Sequence, residues 1–194
     1  MTTLYLKYKG SRNYLHGSDI YNAIDDLLNA RFSGHLACLV FKRFARNQIE
    51  LQFEKPDDSS RLVGHGTWQI LPADVVEFWM QETTQDVTDS YPFQEECITQ
   101  PAEVEGTMIR GRRENAYSLI ENIIALTKCL NYALTPDVDG KWLFGQLNLE
   151  KALPTEWDEI VVRRGVAVGN RFSRNQIEID GEGFGEIRFI GGAP

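Results

Sequence analysis

Apolar and polar positions along this chain repeat with two periods, and the switches between them divide it into strands and helices. Residues 4–9, Leu-Tyr-Leu-Lys-Tyr-Lys, alternate at every second position, as a half-buried strand does. Over residues 20–28 the period changes: Ile20, Ala23, Ile24 and Leu27 lay an apolar stripe along one helix face. Ser18 or Asp19 stands where a side-chain oxygen caps a helix start, and Phe32-Ser33-Gly34 ends it. His35, just beyond, is expected to cap the helix C-terminus. Alternation then returns. Residues 35–44 and 47–55 read as strands, the second through Ile49, Leu51 and Phe53. A polar turn or loop at 55–60, a glycine-containing strand at 61–71 and, after Leu71-Pro72-Ala73-Asp74, a strand at 75–83 follow, with a short helix as the alternative for the last.

Residues 84–102 are polar, acidic and broken by Pro92 and Pro101, which makes them the linker. A second pass follows: a strand over 103–112, then a helix from Glu114-Asn115 to about Tyr132 or Leu134. Its apolar face carries Ala116, Leu119, Ile120, Ile123, Thr127, Leu130 and Leu134. Strands at 141–149, 159–170, 175–180 and 185–190 complete it. The two passes share a motif. Arg43–Leu51 reads RFARNQIEL and Arg171–Ile179 reads RFSRNQIEI, seven of nine positions identical. The helices also correspond, Tyr21, Ile24, Asp25, Leu27 and Leu28 matching Tyr117, Ile120, Glu121, Ile123 and Ile124. A repeated sequence marks a repeated element, so the motif is expected on the same strand and turn of two related units. The expected domains are a first unit at 1–83, the linker at 84–102 and a second unit at 103–194.

A strand, a long apolar-faced helix and an antiparallel meander describe a sheet wrapped around a helix. That order resembles the hotdog fold of acyl-thioester hydrolases and hydroxyacyl dehydratases. Residues 103–189 resemble one such unit most. The stretch WLFGQLNLEKALPTEWDEIVVRR, 142–164, resembles the place where a strand, a proline-containing turn and a second strand follow the hotdog helix. The expected fold class is α+β, an antiparallel sheet packed on long helices as a duplicated hotdog-like unit. A ferredoxin-like or other two-layer duplication is the alternative. The resemblance implies an acyl-CoA or acyl-carrier protein as partner, thioesterase or dehydratase activity, and pairing of units as a homodimer or a fused double unit. It implies no cofactor. The second functional reading is a non-catalytic structural or protein-interaction module.

Charge narrows the partners. The formal net charge of -8 disfavours nucleic acid and anionic membrane surfaces, which need basic faces. No apolar run approaches the roughly 18 residues of a membrane-spanning helix. Residues 1–10 lack the pattern of a secretory leader, so the cytoplasm is the expected location. Cys38 and Cys129 sit in apolar stretches and read as core; with Cys97 in an acidic one and no CxxC, no metal site or disulfide framework is indicated.

Candidate chemistry is sparse. His65 lies between Gly64 and Gly66, where a general base and a close-approaching backbone N–H at Gly66 would suit a thioester carbonyl. The dehydratases' histidine–proline–glycine context is absent there. His16 precedes the first helix, whose N-terminus favours anions. Asp25 and Glu121 are the helix acids that the resemblance assigns to water activation, although both point away from the apolar stripe. Thr127 lies on the apolar face of the second helix and Asn131 on its edge, so both need partners or line a polar pocket. Arg46 and Arg174 of the repeated motif are candidates for a carboxylate or phosphate, or for an ion pair with Glu50 and Glu178 or a cross-strand network.

Overall fold

The computed structural model describes residues 1–70 and 74–192, so the end of the strand read at 61–71, at Leu71, and Pro72-Ala73 after it lie outside the described residues. The chain forms two compact units, Met1–Phe93 and Gln94–Pro194. The segment 84–102 carries secondary structure of both. Among the described residues no helix is long and apolar enough to cross a membrane.

Unit 1 contains β1 (Thr2–Leu4), β2 (Tyr8–Lys9), α1 (Gly17–Asn29), β3 (Gly34–Phe41), β4 (Asn47–Gln52), β5 (Leu62–Ile70), β6 (Asp74–Asp86) and β7 (Ser90–Tyr91). Its main sheet runs β1-β4-β6-β5-β3 with every pair antiparallel, and β2 pairs with β7 in parallel. Leu36, Leu39, Ile49, Leu51, Trp68, Phe78 and Met80 are fully buried from the strands, and Ile20, Ile24 and Leu28 from α1. The helix start is capped by His16, not by Ser18 or Asp19: its Nδ1 accepts from the Ser18 N–H. His35 is a buried residue of β3 and does not cap α1.

Unit 2 contains α2 (Glu96–Thr99), β8 (Glu103–Glu105), β9 (Met108–Arg112), α3 (Leu119–Leu134), β10 (Lys141–Leu149), β11 (Glu159–Val168), β12 (Phe172–Ile179) and β13 (Glu182–Gly192). Its sheet runs β8-β9-β11-β12-β13-β10, again antiparallel throughout. α3 packs against β9, β10, β11 and β12 and is buried on nearly every side from Leu119 to Thr127. It starts at Ser118, four residues later than Glu114. Ser118 and Glu121 form a capping box: the Ser118 N–H donates to Glu121 Oε2 at 2.7 Å, and the Glu121 N–H donates to Ser118 Oγ at 3.4 Å.

Several expectations need correction. The sheet is not packed on long helices. The helices have 13, 4 and 16 residues, and the chain is mostly antiparallel strand, because its apolar alternation is spent on strands. The repeated motif does not mark one element used twice. Its first copy lies on β4, between β1 and β6; its second lies on β12, between β11 and β13. Counting strands after each helix, these are the second and the third. The last strands also pair differently: consecutive β4 and β5 are not neighbours, whereas β11, β12 and β13 are. The helix correspondence breaks as well, since Tyr21 lies inside α1 while Tyr117 precedes the cap of α3. The ion pairs within the motif are absent too. Residues four apart on a strand are about 13 Å apart, beyond reach, while cross-strand neighbours are about 5 Å apart. Glu178 therefore pairs with Arg163 at 2.7 Å and Arg174 with Glu186 at 3.6 Å, and Arg43 takes Glu82.

The capping box makes a direct prediction. Ser118→Ala removes the acceptor of an orphan helix N–H and should cost about 1 kcal/mol. For a chain of this size that lowers Tm by about 2–4 °C. Ser118→Asp should restore most of it, as read by thermal melts followed by circular dichroism. An unchanged Tm for the alanine variant would show that the cap contributes nothing.

Candidate functional site

In unit 1 the two candidate catalytic side chains are kept apart. His65 pairs in register with Val40 and Trp79, whereas Gly64 and Gly66 pair with Met80 and Phe78 of the fully buried face. Side chains of a strand alternate, so His65 projects from the opposite face to the one α1 covers. Asp25, on α1, accepts from Asn29 Nδ2 at 3.0 Å. Burial, with a smaller push from the Asp26 charge, raises its carboxyl to about 6. Burial and then the Lys42 charge lower the His65 pKa, against an opposing pull from Glu77. A β-carbon at Gly66 would stand 2.4 Å from both Phe78 Cζ and the Cys38 carbonyl oxygen. The space above that glycine is taken by core packing. The Arg46 side chain is exposed; its backbone N–H donates to Glu82 at 2.6 Å and its carbonyl accepts from Tyr8 Oη at 2.5 Å.

Sequence reasoning missed a buried charge cluster at the start of α1. Lys9 is fully buried, its Nζ 2.6 Å from Ser18 Oγ and 2.7 Å from Asp19 Oδ1. His16 Nδ1 lies 2.8 Å from the same hydroxyl, and Tyr91 Oη donates to Asp19 Oδ2 at 2.8 Å. Phe93 offers its ring face to the ammonium at 4.5 Å. The residue types resemble a nucleophile with its base, but Ser18 is 0% exposed and no substrate atom reaches it. The cluster ties β2 and β7 to the α1 N-terminus. Lys9 falls in the alternating run 4–9, where nothing local marks it as buried.

In unit 2, the Glu121 carboxylate is engaged in the capping box. Thr127 is fully buried and satisfied, donating to the Ile123 carbonyl at 2.7 Å. Asn131 is fully buried, and neither its amide nitrogen nor its oxygen has a partner. Arg174 is exposed beside Glu186. On β10, β11 and β12, strands against which α3 packs, stand three residues that sequence reasoning did not single out as a site. Trp142 donates its backbone N–H to Tyr132 Oη at 3.4 Å, while its buried Nε1 has no partner. Arg164 lies 5.9 Å from the Trp142 ring, with a buried unpartnered Nε; burial lowers its pKa. Asn175 is Arg164's register partner on β12, fully buried, and its Oδ1 is unpartnered while its nitrogen donates to Ser173 Oγ at 3.1 Å.

These four residues hold five of the seven unpartnered buried side-chain atoms found among the described residues. Each such atom costs about 1–3 kcal/mol when left dry. Five would cost about 5–15 kcal/mol, as much as a typical domain's whole net stability. Water or a ligand has to satisfy them.

No family model matches the chain, and no curated protein matches it. Solved structures do. A pyran synthase domain from module nine of the sorangicin pathway aligns with a TM-score of 0.54 at 8% identity, over 96% of this chain and 92% of that one. The bifunctional dehydratase-cyclase domain of ambruticin biosynthesis aligns at 0.50 and 10% identity, over 93% and 83%. The dehydratase domain of PpsC from Mycobacterium tuberculosis, in complex with C12:1-CoA, aligns at 0.50 and 7% identity, over 92% and 85%. Polyketide synthase dehydratase domains have the hotdog fold, and the likeness of this chain to them is one of fold.

Proposed function

We propose that this protein binds acyl thioesters, of the acyl-CoA or acyl-carrier kind, with the inner face of α3 as one wall of the acyl site. The observation that carries the reading is Asn131, a fully buried amide without a partner in the helix that a hotdog sheet wraps. Thr127 lies one turn earlier on the same helix. Support comes from the likeness to dehydratase domains, one of them solved with an acyl-CoA bound. Binding without turnover fits what each unit offers. In unit 1 the sheet separates Asp25 from His65, and in unit 2 Glu121 is engaged in a helix cap.

One observation favours a second reading, thioesterase or dehydratase activity. A carboxyl raised to about 6 is matched to general acid–base work near neutral pH. On that reading Asp25 moves the proton.

Thermal shift separates the two readings and the structural module. At about 100-fold excess over Kd, a ligand that binds only the folded state contributes about 2.7 kcal/mol. Decanoyl-CoA should then raise Tm by about 5–10 °C, and coenzyme A alone by less. Mass spectrometry of the same mixture reports turnover. A shift with unchanged ester supports binding; released coenzyme A or an enoyl product supports catalysis; no shift at any concentration leaves the structural or interaction module.

Asp25 gives a separate pH prediction. Its folded-state pKa is raised above the ordinary value of about 4, so the folded protein holds this proton more tightly than the unfolded chain. That contribution is fully present below about pH 4 and is lost as pH rises through about 6. Asp25→Asn should stabilise the protein by roughly 1 kcal/mol at pH 8, after discounting for solvent screening. The gain in Tm, about 2–4 °C, should shrink to nothing below pH 4. A gain that does not change with pH would show that Asp25 titrates normally.

A further inference from the structure

Most guanidiniums on the sheet of unit 2 meet a glutamate. Arg110 takes Glu159, Arg163 takes Glu178, Arg188 takes Glu186, and Arg174 lies 3.6 Å from Glu186. The Arg164 guanidinium meets no carboxylate and no carbonyl among the described residues; its side chain is held against the Trp142 ring, 5.9 Å away. Scarcity of acids is not the reason, since the chain has 28 Asp and Glu against 20 Lys and Arg. Arg164 pairs in register with Asn175, and β12 buries Ser173, Asn175, Ile177 and Ile179 in alternation, so Arg164 shares the inner face of the sheet. Burial lowers its pKa, with no acid raising it.

The strand opens to solvent at this point. β11 is buried from Ile160 to Val162, Arg164 is half-buried, and Gly165 to Val168 are exposed, with a bulge between Arg164 and Ala167. A guanidinium placed there is partly withdrawn from water yet can be reached from it. An anion gains more from such a charge than from a fully hydrated one, because charge-assisted bonds strengthen as the local dielectric falls. The planar fork matches the two oxygens of a carboxylate. Asn175 adds no donor, since its amide nitrogen is committed to Ser173 Oγ and the Ile187 carbonyl, and its oxygen can only repel an anion. One positive charge in a chain of formal net charge -8 therefore suits a monoanion rather than a dianion such as phosphate. Val166 and Ala167 leave apolar surface beside it for the rest of the ligand.

We propose that Arg164 anchors a binding site for a small monocarboxylate with an apolar body, entering from solvent where β11 becomes uncovered. The inference does not rest on the acyl-thioester reading, since the site needs neither coenzyme A nor a carrier.

Calorimetry with hexanoate, hexanamide and inorganic phosphate tests this on the wild type, Arg164→Gln, Arg164→Lys and Arg163→Gln. The Trp142 indole N–H resonance, identified by its loss in Trp142→Phe, is the local probe. Hexanoate should bind at least about tenfold tighter than the neutral amide, and should move that resonance. Arg164→Gln should abolish the preference, Arg164→Lys should keep part of it, and Arg163→Gln should leave it intact. Circular dichroism of Arg164→Gln separates lost binding from lost folding; if that variant does not fold, the Trp142 shift and Arg164→Lys decide. Equal binding of hexanoate and hexanamide, tighter binding of phosphate, an unmoved Trp142 resonance, or a preference that survives in Arg164→Gln overturns the proposal. So does failure of hexanoate to bind, which would leave water as the guanidinium's partner. Hexanoate binding without a thermal shift from decanoyl-CoA would keep this site and sink the thioester reading; the opposite pair of results would do the reverse.

Discussion

Unit 2 depends on one constraint, the burial of α3 on nearly all its sides. Ile120, Ile123, Leu126, Thr127, Leu130 and Asn131 are each at most 1% exposed. A helix apolar all round cannot rest on a flat surface; it needs a sheet that curls about it. β9, β10, β11 and β12 supply that wrap, with Ile109, Ile160, Val162 and Ile177 turned inward. Gly111 permits the closest approach, since a β-carbon there would lie 2.7 Å from Leu126 Cδ1. The same burial governs every polar side chain on the helix. Thr127 satisfies itself on the preceding turn, and Asn122 donates to the Tyr117 and Ser118 carbonyls at 3.3 and 3.0 Å. Asn131 has no such local solution, so the packing that stabilises the helix makes that amide conspicuous.

Unit 1 solves the same problem with charge at one end. α1 is amphipathic rather than buried all round, and its start is held by Lys9, Asp19 and Tyr91. An ammonium at a helix N-terminus opposes the helix dipole. Asp19 offsets this: it belongs to the first turn, lies 2.7 Å from the lysine and has a favourable sign for that position. Removing one partner of a buried ion pair is far costlier than removing both, because the survivor keeps its desolvation penalty. The cluster thus fixes β2 and β7 to α1 more through what breaking it would expose than through its net attraction.

Local structure was legible in the sequence and sheet order was not. Alternation located β4, β10, β12 and β13, and the 3.6-residue period located both longer helices. The start of α3 was also written locally, as Ser118 followed three residues later by Glu121, a capping-box signature. The repeated motif misled for a physical reason. Ile49 and Leu51, like Ile177 and Ile179, face inward because any strand with one buried face demands that alternation. The pattern says nothing about which neighbours the strand takes. Gln48 and Gln176 record the difference: the first is buried and bridges the Leu6 N–H and carbonyl, the second is exposed on β12.

The candidate site divides along the same line. Thr127 and Asn131 could be flagged because helical periodicity alone places the first on the apolar face and the second at its edge. Trp142, Arg164 and Asn175 drew no attention together, because their relation is set by register between β11 and β12 and by the approach of β10. Hydrogen-bond satisfaction is a non-local sum: a residue's own sequence shows what it can donate or accept, while the fold decides whether anything answers. Of the two polar residues singled out on α3, the fold answers Thr127 and leaves Asn131 open. That difference turns a polar position on a helix into an argument for a ligand.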